Sequence, residues 1–412
     1  MKKENKYTKE EWSWILYDVG NSAFTMLACS LVSVWFKRLA VASGVSIADT
    51  TAYWSYVASI TTIIVAIIGP ICGTIADNKG YKKPIFTIAL MSGVLFCAVL
   101  GFIKSWFAFL VIFILAKASY QASLVFYDSM VTDVTTPERM DNISSQGFAW
   151  GYLGSCLPFS IALILYVLGE SGTISQDIAK IGGFLVTAVW WFLVSLPLLF
   201  NFHQKYYVDV EKGAIAAAFK RLGNTLSRIA KENKKVFLFL LAFFFYIDGV
   251  NTIIDEAVMI GQFLGLDDIG LIAMLLATQV VAFAFSLIFA RLSKKYRTID
   301  LLSVCIIGYL AVAIYAVFLN NLWQFGIMAF TVGMFQGAIQ ALSRSYYGKI
   351  IPKDNAGEYF GLYDIMSKGA AFLGTLIVGL VTQLTNSINI AVGTLAIFFA
   401  LGLILIRKAD RC

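Results

Sequence analysis

Three charged side chains lie deep inside long apolar stretches of the sequence: Lys117, Asp248 and Lys368. An ionised group near the centre of a bilayer costs about 2.5–3.5 kcal/mol on insertion scales, so such a group usually faces a protein interior or an aqueous path. One lysine in each half of the chain, with an acid in the second half, can form a mixed-charge centre. Such a centre suits a zwitterionic solute, with Lys117 or Lys368 for its carboxylate and Asp248 or Asp18 for its amine.

Polar side chains accompany these charges along single helix faces. Lys117, Tyr120, Gln121 and Asp128 share one face, but Lys117 and Asp128 are about three turns apart and cannot pair directly. Glutamine side chains can hydrogen-bond a polar solute without carrying charge. The predicted solute-binding residues are Asn21, Lys117, Tyr120, Gln121, Asp248, Asn251, Gln336, Gln340 and Lys368.

The second lysine has an alternative interpretation. Asp364 and Lys368 are four residues apart, so on one helix they would neutralise each other without meeting a solute.

Energy for transport is expected from a gradient, because the sequence has no GxxxxGK[ST] loop for a nucleotide. Protons are the expected coupling ion. Asp18 and Asp248 are the candidate proton-binding groups, because burial favours the neutral form of a carboxylic acid while a nearby lysine opposes this effect. Asp18 lies within about 10 Å of the end of its span, so a gate contact is the alternative role.

The composition places the chain in a membrane. Of the 412 residues, 59% are hydrophobic and 14% are charged, which is too apolar for a soluble protein of this length. The net charge of +7 would suit nucleic-acid binding in a soluble domain. Here the cations sit in short loops, where they set topology, so membrane lipids are expected partners and nucleic acid is not.

Cysteine and histidine usage predicts neither disulfides nor a metal site. Five of the 6 cysteines lie in apolar runs, Cys412 is terminal, no CxxC pair occurs, and His203 is the single histidine. We therefore expect no metal and no cofactor.

Twelve apolar stretches are long enough to cross a bilayer. They lie at 12–36, 53–76, 84–103, 106–128, 146–168, 181–201, 236–260, 268–290, 299–319, 322–346, 358–382 and 387–406. Lys and Arg gather on the side of both chain ends, with Lys37, Arg38, Lys104 and Lys180 on the other side, which predicts cytoplasmic termini. We expect an all-α integral membrane protein with twelve transmembrane helices, monomeric and located in a bacterial plasma membrane.

A polar stretch divides the spans into two sets of six. The expected domains are a six-helix bundle at 1–201, a cytoplasmic basic linker at 202–235 and a second bundle at 236–412. Apolar residues in the linker recur at steps of four and three, which predicts an amphipathic helix on the membrane surface or, alternatively, one packed on the protein itself. A weak repeat indicates duplication of the bundles: GTIADNKGYKK at 73–83 and ARLSKKYRTID at 290–300.

The loop between the second and third spans resembles the major facilitator loop signature. Its spacing is GxxxDxxGxKK, formed by Gly73, Asp77, Gly80, Lys82 and Lys83. The glycines allow a tight turn and close helix approach, Asp77 can cap or pair at a helix end, and the lysines hold the loop inside the cell. In that superfamily the loop latches the two halves on the cytoplasmic side. We expect Asp128 and Arg344 to belong to this latch.

Further stretches narrow the resemblance. The bacterial "unknown major facilitator" family, related to the fungal autophagy-related vacuolar amino-acid effluxer, is similar to this chain at WILYDVGNSAF (14–24) and GMFQGAIQALSRSYYGKIIPKDNAGEYFGLYDIMSKGAAFLG (333–374). That family's glycine-rich span is similar to GFAWGYLGSCLP (147–158). The resemblance implies two six-helix bundles in the major facilitator fold, a small-molecule substrate and, loosely, an amino-acid-like solute.

Other functions fit parts of the same pattern. An aromatic-rich cavity would also suit an exporter of hydrophobic compounds, organic ions or lipids. A membrane-embedded enzyme is disfavoured because the GxSxG and HExxH motifs are absent. A membrane sensor that binds without translocating is a third alternative.

Tryptophans near the span ends are expected to form an interfacial belt. They are Trp12, Trp14, Trp35, Trp106 and Trp323.

Overall fold

The computed structural model describes residues 7–208, 229–263 and 268–412. Its helices, in chain order, are α1 (Lys9–Cys29), α2 (Leu31–Ala42), α3 (Ile47–Ala76), α4 (Lys82–Leu100), α5 (Trp106–Val134), α6 (Pro137–Glu170), α7 (Gln176–Asn201), α8 (Lys234–Phe263), α9 (Asp268–Leu292), α10 (Thr298–Ala316), α11 (Leu322–Ile350), α12 (Ala356–Thr385), α13 (Ile388–Gly393) and α14 (Ala396–Asp410). A 3-10 helix, Lys353–Asn355, precedes α12. The predicted amphipathic helix of the linker falls mainly on residues 209–228, outside the described part of the chain.

Polar residues start the helices. At α1 the Thr8 hydroxyl accepts a hydrogen bond from the Glu11 N–H at 3.1 Å, and the Glu11 carboxylate accepts one from the Thr8 N–H at 2.9 Å. This capping box satisfies two N–H groups that have no partner within the helix. Side chains cap α3, α5, α7 and α11 in a similar way, at Ser46, Ser105, Ser175 and Asn321.

The described helices form twelve membrane crossings. Helices α1 and α2 together make one crossing, α13 and α14 together make another, and each remaining helix makes one. Ten helical segments of the described chain are long and apolar enough to span a membrane. The remaining two crossings, α3 and α9, contain the shorter apolar stretches Ile63–Ala76 and Leu276–Leu292. The prediction of twelve spans is confirmed.

The packing of the first six crossings repeats in the second six. In the first half, α1 packs against α6 and α7, α4 against α5 and α7, and α3 against α5. The equivalent helices of the second half pair in the same way: α8 with α12 and α14, α10 with α11 and α14, and α9 with α11. Equivalent hydrogen bonds join Tyr17 to Ser123 at 2.6 Å and Tyr246 to Ser343 at 2.7 Å. The weak sequence repeat therefore corresponds to a repeat of helix packing.

The two halves meet along α3 with α12, α5 with α12, and α6 with α9 and α11. Glycines set the closest of these approaches. A Cβ atom added to Gly73 would lie 2.3 Å from the Gly357 carbonyl oxygen, and one added to Gly357 would lie 2.4 Å from the Gly73 oxygen. Only a residue without a side chain allows the two backbones to pass at this distance.

This crossing predicts the effect of a single methyl group. Gly73→Ala should destabilise the protein by about 1–3 kcal/mol, because the added carbon overpacks the contact between α3 and α12. Gly379→Ala, on α12, is the matched control, because a Cβ there meets no atom within 4 Å. Thermal unfolding of the detergent-purified variants measures the difference. Equal unfolding midpoints would contradict the close crossing.

Candidate functional site

The start of α1 and the end of α14 lie on one face of the molecule, because the number of crossings is even. We call it the terminal face. The same count places the turns before α4, α6, α8, α10 and α12 on this face. The polar contacts between the two halves described below lie towards it.

The centre of these contacts is Arg344 on α11, which is 3% exposed. Its guanidinium donates to Asp128 on α5 at 3.0 Å and to Asp18 on α1 at 3.2 Å. It also donates to the hydroxyl of Ser144 on α6 at 3.0 Å and to the carbonyl oxygen of the same residue at 3.2 Å. One cation of the second half thus compensates two carboxylates of the first, and planar arginine is suited to several directed hydrogen bonds at once.

Aromatic rings surround the same guanidinium. Its central carbon lies 4.5 Å from the Trp14 ring centroid, 4.4 Å from that of Phe148 and 5.2 Å from that of Tyr127. Rings at these distances attract a cation and exclude water from it. Gly147 leaves the necessary room, since a Cβ there would lie 2.6 Å from an Asp18 oxygen. We call Arg344 with Asp18, Asp128, Ser144 and these three rings the Arg344 cluster.

A second polar cluster joins the halves around Asp141 on α6. The Lys349 ammonium of α11 lies 2.6 Å from its carboxylate. The Ser345 hydroxyl donates to it at 2.6 Å and the Thr298 hydroxyl at 2.7 Å. These partners satisfy a carboxylate that is 5% exposed, as burial of a charge requires.

The signature loop contacts the start of α12. Both oxygens of Asp77 accept backbone hydrogen bonds, from Gly357 at 2.7 Å and from Glu358 at 2.8 Å. A carboxylate is stabilised there by the unpaired N–H groups and the dipole of a helix N-terminus. Burial raises the pKa of the Asp77 carboxyl to about 7, while the Lys82 ammonium and the two N–H groups act in the opposite direction. Asp77 thus caps the N-terminus of α12 in this structure.

The lysines of the loop make contacts that their spacing did not predict. The side chain of Lys82 is fully buried and pairs with Asp133 of α5 at 2.9 Å. It also lies 4.0 Å from Asp77. Lys83 donates to the Phe202 carbonyl oxygen at 3.5 Å. Gly80 has a φ of 79°, as its predicted place in a tight turn requires.

Charges of both signs also lie farther from the terminal face, between α5 and α12. Lys368 forms an ion pair with Asp364, as the alternative based on their spacing predicted. Lys117 and Asp128 lie on α5, which packs against α12. The Lys117 ammonium lies 5.9 Å from the Phe113 ring centroid and has no ion-pair partner within the described residues. We call Lys117 and Asp128 of α5, with Asp364 and Lys368 of the adjacent helix α12, the central charge group.

The sequence matches the family model described as "Vacuole effluxer Atg22 like" over residues 45–411. A Bacillus subtilis (strain 168) protein, described as the uncharacterized MFS-type transporter YxiO, is 41% identical over 97% of this chain and 95% of its own length. The chain belongs to the vacuole effluxer Atg22-like family.

Autophagy-related protein 22-1 of Aspergillus niger is a more distant member of this Atg22-like group. It is 26% identical over 65% of this chain and 47% of its own length, so this chain spans about half of the fungal protein. The E. coli fucose:proton symporter FucP, solved in an outward conformation, has a TM-score of 0.74 with 16% identity over 97% of this chain and 98% of its own. This likeness shows the major facilitator fold. Membership of this family and the 41% identity to an MFS-type transporter show that the protein is a multi-pass membrane transporter and not an enzyme.

In this Atg22-like transporter Asp248 lies apart from the central charge group. It is 1% exposed on α8 and accepts a hydrogen bond from the Gly374 N–H of α12 at 3.0 Å. The Thr252 hydroxyl donates to the same oxygen at 3.4 Å. The other oxygen, Oδ2, is buried without a hydrogen-bond partner in the described structure. The expected mixed-charge centre therefore differs from the observed one, in which the acids near the lysines are Asp364 and Asp128.

Two predicted solute ligands of the Atg22-like chain are engaged within the first half. Asn21 is 2% exposed and donates to the Tyr17 carbonyl oxygen at 2.9 Å and to Asp18 at 3.4 Å. The Tyr120 hydroxyl is hydrogen-bonded to Thr25 at 2.7 Å. In this conformation both side chains are buried and hydrogen-bonded within the first half.

The other four predicted amides are less buried than Asn21. Gln340 accepts a hydrogen bond from the Tyr152 hydroxyl of α6 at 3.3 Å, across the interface between the halves. Gln121, Asn251 and Gln336 are half-buried.

Sequence reasoning missed several members of the Arg344 cluster. Trp14 was expected in an interfacial belt but is fully buried and donates from its indole to the Tyr127 carbonyl oxygen at 2.9 Å. Ser144, Tyr127 and Phe148 were not predicted at all. The available signal was the family resemblance, since Trp14 and Phe148 both lie inside the quoted stretches.

The Arg344 cluster predicts that charge alone does not keep the terminal face closed. Arg344→Lys keeps the charge but loses the planar group that contacts Asp18 and Asp128 together. Breaking a buried pair commonly costs about 3–5 kcal/mol and lysine retains part of it, so we expect the open fraction to rise at least tenfold.

A Met140→Cys reporter measures this opening. Met140 is fully buried on α6 and faces Gly348 of α11, where an added Cβ would lie 2.9 Å from its sulfur. With the native cysteines replaced by serine, maleimide should alkylate the reporter faster in Arg344→Lys. Arg407→Lys, at an exposed pair with Asp300, is the control and should leave the rate unchanged. An unchanged rate in Arg344→Lys would refute the gate role.

Proposed function

We propose that this Atg22-like protein is a secondary active transporter that moves a small zwitterionic solute, such as an amino acid, by alternating access coupled to protons. The observation that supports this most strongly is the central charge group. It places cations and anions from both halves in the apolar part of the molecule, where they are costly unless they serve a path or a ligand. A zwitterion offers both signs of charge to such a group.

Lys117 is the preferred ligand for the solute carboxylate, because no acid of the described chain compensates it. Lys368 joins it once the solute competes with Asp364 for the ammonium. The amine of the solute then meets Asp364 or the partly exposed Asp128, whose side chain is 22% exposed. Solute contact with α5 and α12 together draws on both halves of the protein, which is what coupling of binding to rocking requires.

The closed terminal face defines one end state of the cycle. We infer that this face is cytoplasmic, as the distribution of Lys and Arg in the loops predicts, so that the described conformation faces outward. The outward conformation of FucP, a fold relative, is consistent with this assignment. Opening then requires the Arg344 and Asp141 clusters to separate. The Bacillus relative supports a location in a bacterial plasma membrane. All residues of the Arg344 and Asp141 clusters come from one chain, which agrees with a monomer.

Asp248 is our candidate for the coupling proton. Asp18 has Arg344 as a counter-ion, whereas Asp248 has no ion-pair partner among the described residues and one bare buried oxygen. Ionising such a carboxyl is costly, and binding a proton removes the cost. Because Asp248 accepts a bond from the α12 backbone, its protonation acts on the helix that also carries Asp364 and Lys368.

The proposal predicts separate effects for the two sites in proteoliposomes. A thermal-shift screen of amino acids, dipeptides, organic anions and hydrophobic cations first identifies a stabilising solute. Asp248→Asn keeps an oxygen for the Gly374 N–H but cannot ionise. It should abolish accumulation driven by a pH gradient and retain solute exchange.

Lys117→Ala should instead raise the solute KM at least tenfold, because a charged hydrogen bond is lost. Glu170→Gln, at an exposed pair with Arg38, is the control for both and should transport like the wild type. Transport that ignores pH and protonophore would refute the coupling. Stabilisation by organic anions or hydrophobic cations alone would favour the exporter alternative.

A further inference from the structure

The chain that leaves the first half runs along the signature loop before it continues towards the second half. We call residues 202–208 the strap. At its end the Val208 N–H donates to the Asp77 carbonyl oxygen at 2.9 Å, and the Lys79 N–H donates to the Val208 carbonyl oxygen at 3.2 Å. These two bonds form a short parallel bridge between Val208 and Asn78. The strap thus extends the loop as an added strand would.

Gln204 of the strap binds the backbone of the loop at several points. Its Oε1 accepts a hydrogen bond from the Gly80 N–H at 3.0 Å. Its Nε2 lies 3.2 Å from the carbonyl oxygens of Ala76 and Asn78. One amide therefore joins the end of α3 to the turn at Gly80. The residue in between, Asp77, is the one that caps α12.

A buried carboxylate connects the strap to the same place from the other side. Asp133 accepts hydrogen bonds from the backbone N–H groups of Lys205 at 2.8 Å and Tyr206 at 2.9 Å. Its second oxygen pairs with the Lys82 ammonium at 2.9 Å. Lys82 in turn lies 4.0 Å from Asp77. The strap, Asp133, Lys82 and Asp77 thus form a continuous series of contacts.

The strap also contacts the second half directly. The Lys353 ammonium, in the 3-10 helix before α12, donates to the Tyr206 hydroxyl at 3.3 Å and lies 4.9 Å from its ring centroid. The strap therefore contacts both the loop that carries Asp77 and the segment that precedes α12, the helix that Asp77 caps.

We propose that the strap is a working part of the latch, and that Gln204 is a positioning residue that holds Asp77 in line with the N-terminus of α12. This rests on the proposed alternating access, because it concerns what keeps the terminal face closed. A five-residue turn with a positive-φ glycine has little rigidity of its own, and the bonds from Gln204 fix its backbone at both ends. The strap thereby helps to keep the terminal face closed.

The first test uses the Met140→Cys reporter without any solute. Gln204→Ala should increase its alkylation rate at least fivefold, because the loop no longer holds Asp77 against α12. Lys205→Ala is the matched control. It removes the side-chain pair with Glu10 at 2.6 Å but keeps the backbone N–H that binds Asp133, so its rate should equal the wild type. Equal rates in Gln204→Ala and wild type would overturn the proposal.

A double substitution separates positioning from general damage. If Gln204 acts through Asp77, then Gln204→Ala adds nothing to the alkylation rate of Asp77→Ala. Multiplied effects would show that Gln204 acts elsewhere and would also overturn the proposal. If Gln204→Ala folds poorly, Gln204→Glu takes its place. This variant keeps the acceptor for the Gly80 N–H but loses the donors, so its alkylation rate should lie between those of the wild type and Asp77→Ala. The reporter needs no solute or proton gradient, so failure of the transport assays leaves this result independent.

Discussion

The pairing of the buried Arg344 with the buried Asp18 and the partly exposed Asp128 is the constraint on which the rest of the structure depends. Taking an ion out of water costs several kcal/mol even after relaxation, and well-placed partners must offset that cost. Here the cation belongs to the second half and both anions to the first, so the charges are compensated only while the halves meet at the terminal face. The aromatic rings meet this requirement by excluding water from the guanidinium. Gly147 meets it by leaving space for Arg344 and Asp18.

Two further sets of contacts join the halves at this face. The Asp141 cluster repeats the same principle with Lys349, and the Asp77 cap uses backbone N–H groups of α12 in place of a side-chain cation. Paired acids therefore hold the gate, whereas Asp248, which has no ion-pair partner among the described residues, lies beside α12 within the second half. In this proposal the paired acids close the terminal face and Asp248 binds the proton. Because α12 carries both the capped N-terminus and Gly374, one helix can transmit a change at Asp248 to the latch.

Local patterns predicted the features that depend on local forces. Span positions follow from hydropathy, the turn at Gly80 from its glycine, and the Asp364–Lys368 pair from a spacing of four residues. The Arg344 cluster does not follow from such patterns, since Arg344 and Asp18 are 326 residues apart. Trp14 looks interfacial by position near a span end, and Lys82 looks like a loop cation. Both are buried because particular helices become neighbours, which the spacing of residues in one chain does not specify.

Distances between spin labels, measured by double electron–electron resonance at both faces, show directly whether the Arg344 pairing keeps the terminal face closed. Exposed positions suited to labels are Glu138 with Lys295 at the terminal face and Ser171 with Asn320 at the opposite face. We expect Arg344→Ala to lengthen the first distance and to shorten the second, because loss of the buried cation releases the halves to rock. Unchanged distances, or a terminal face that widens while the opposite face stays the same, would contradict alternating access controlled by this pairing.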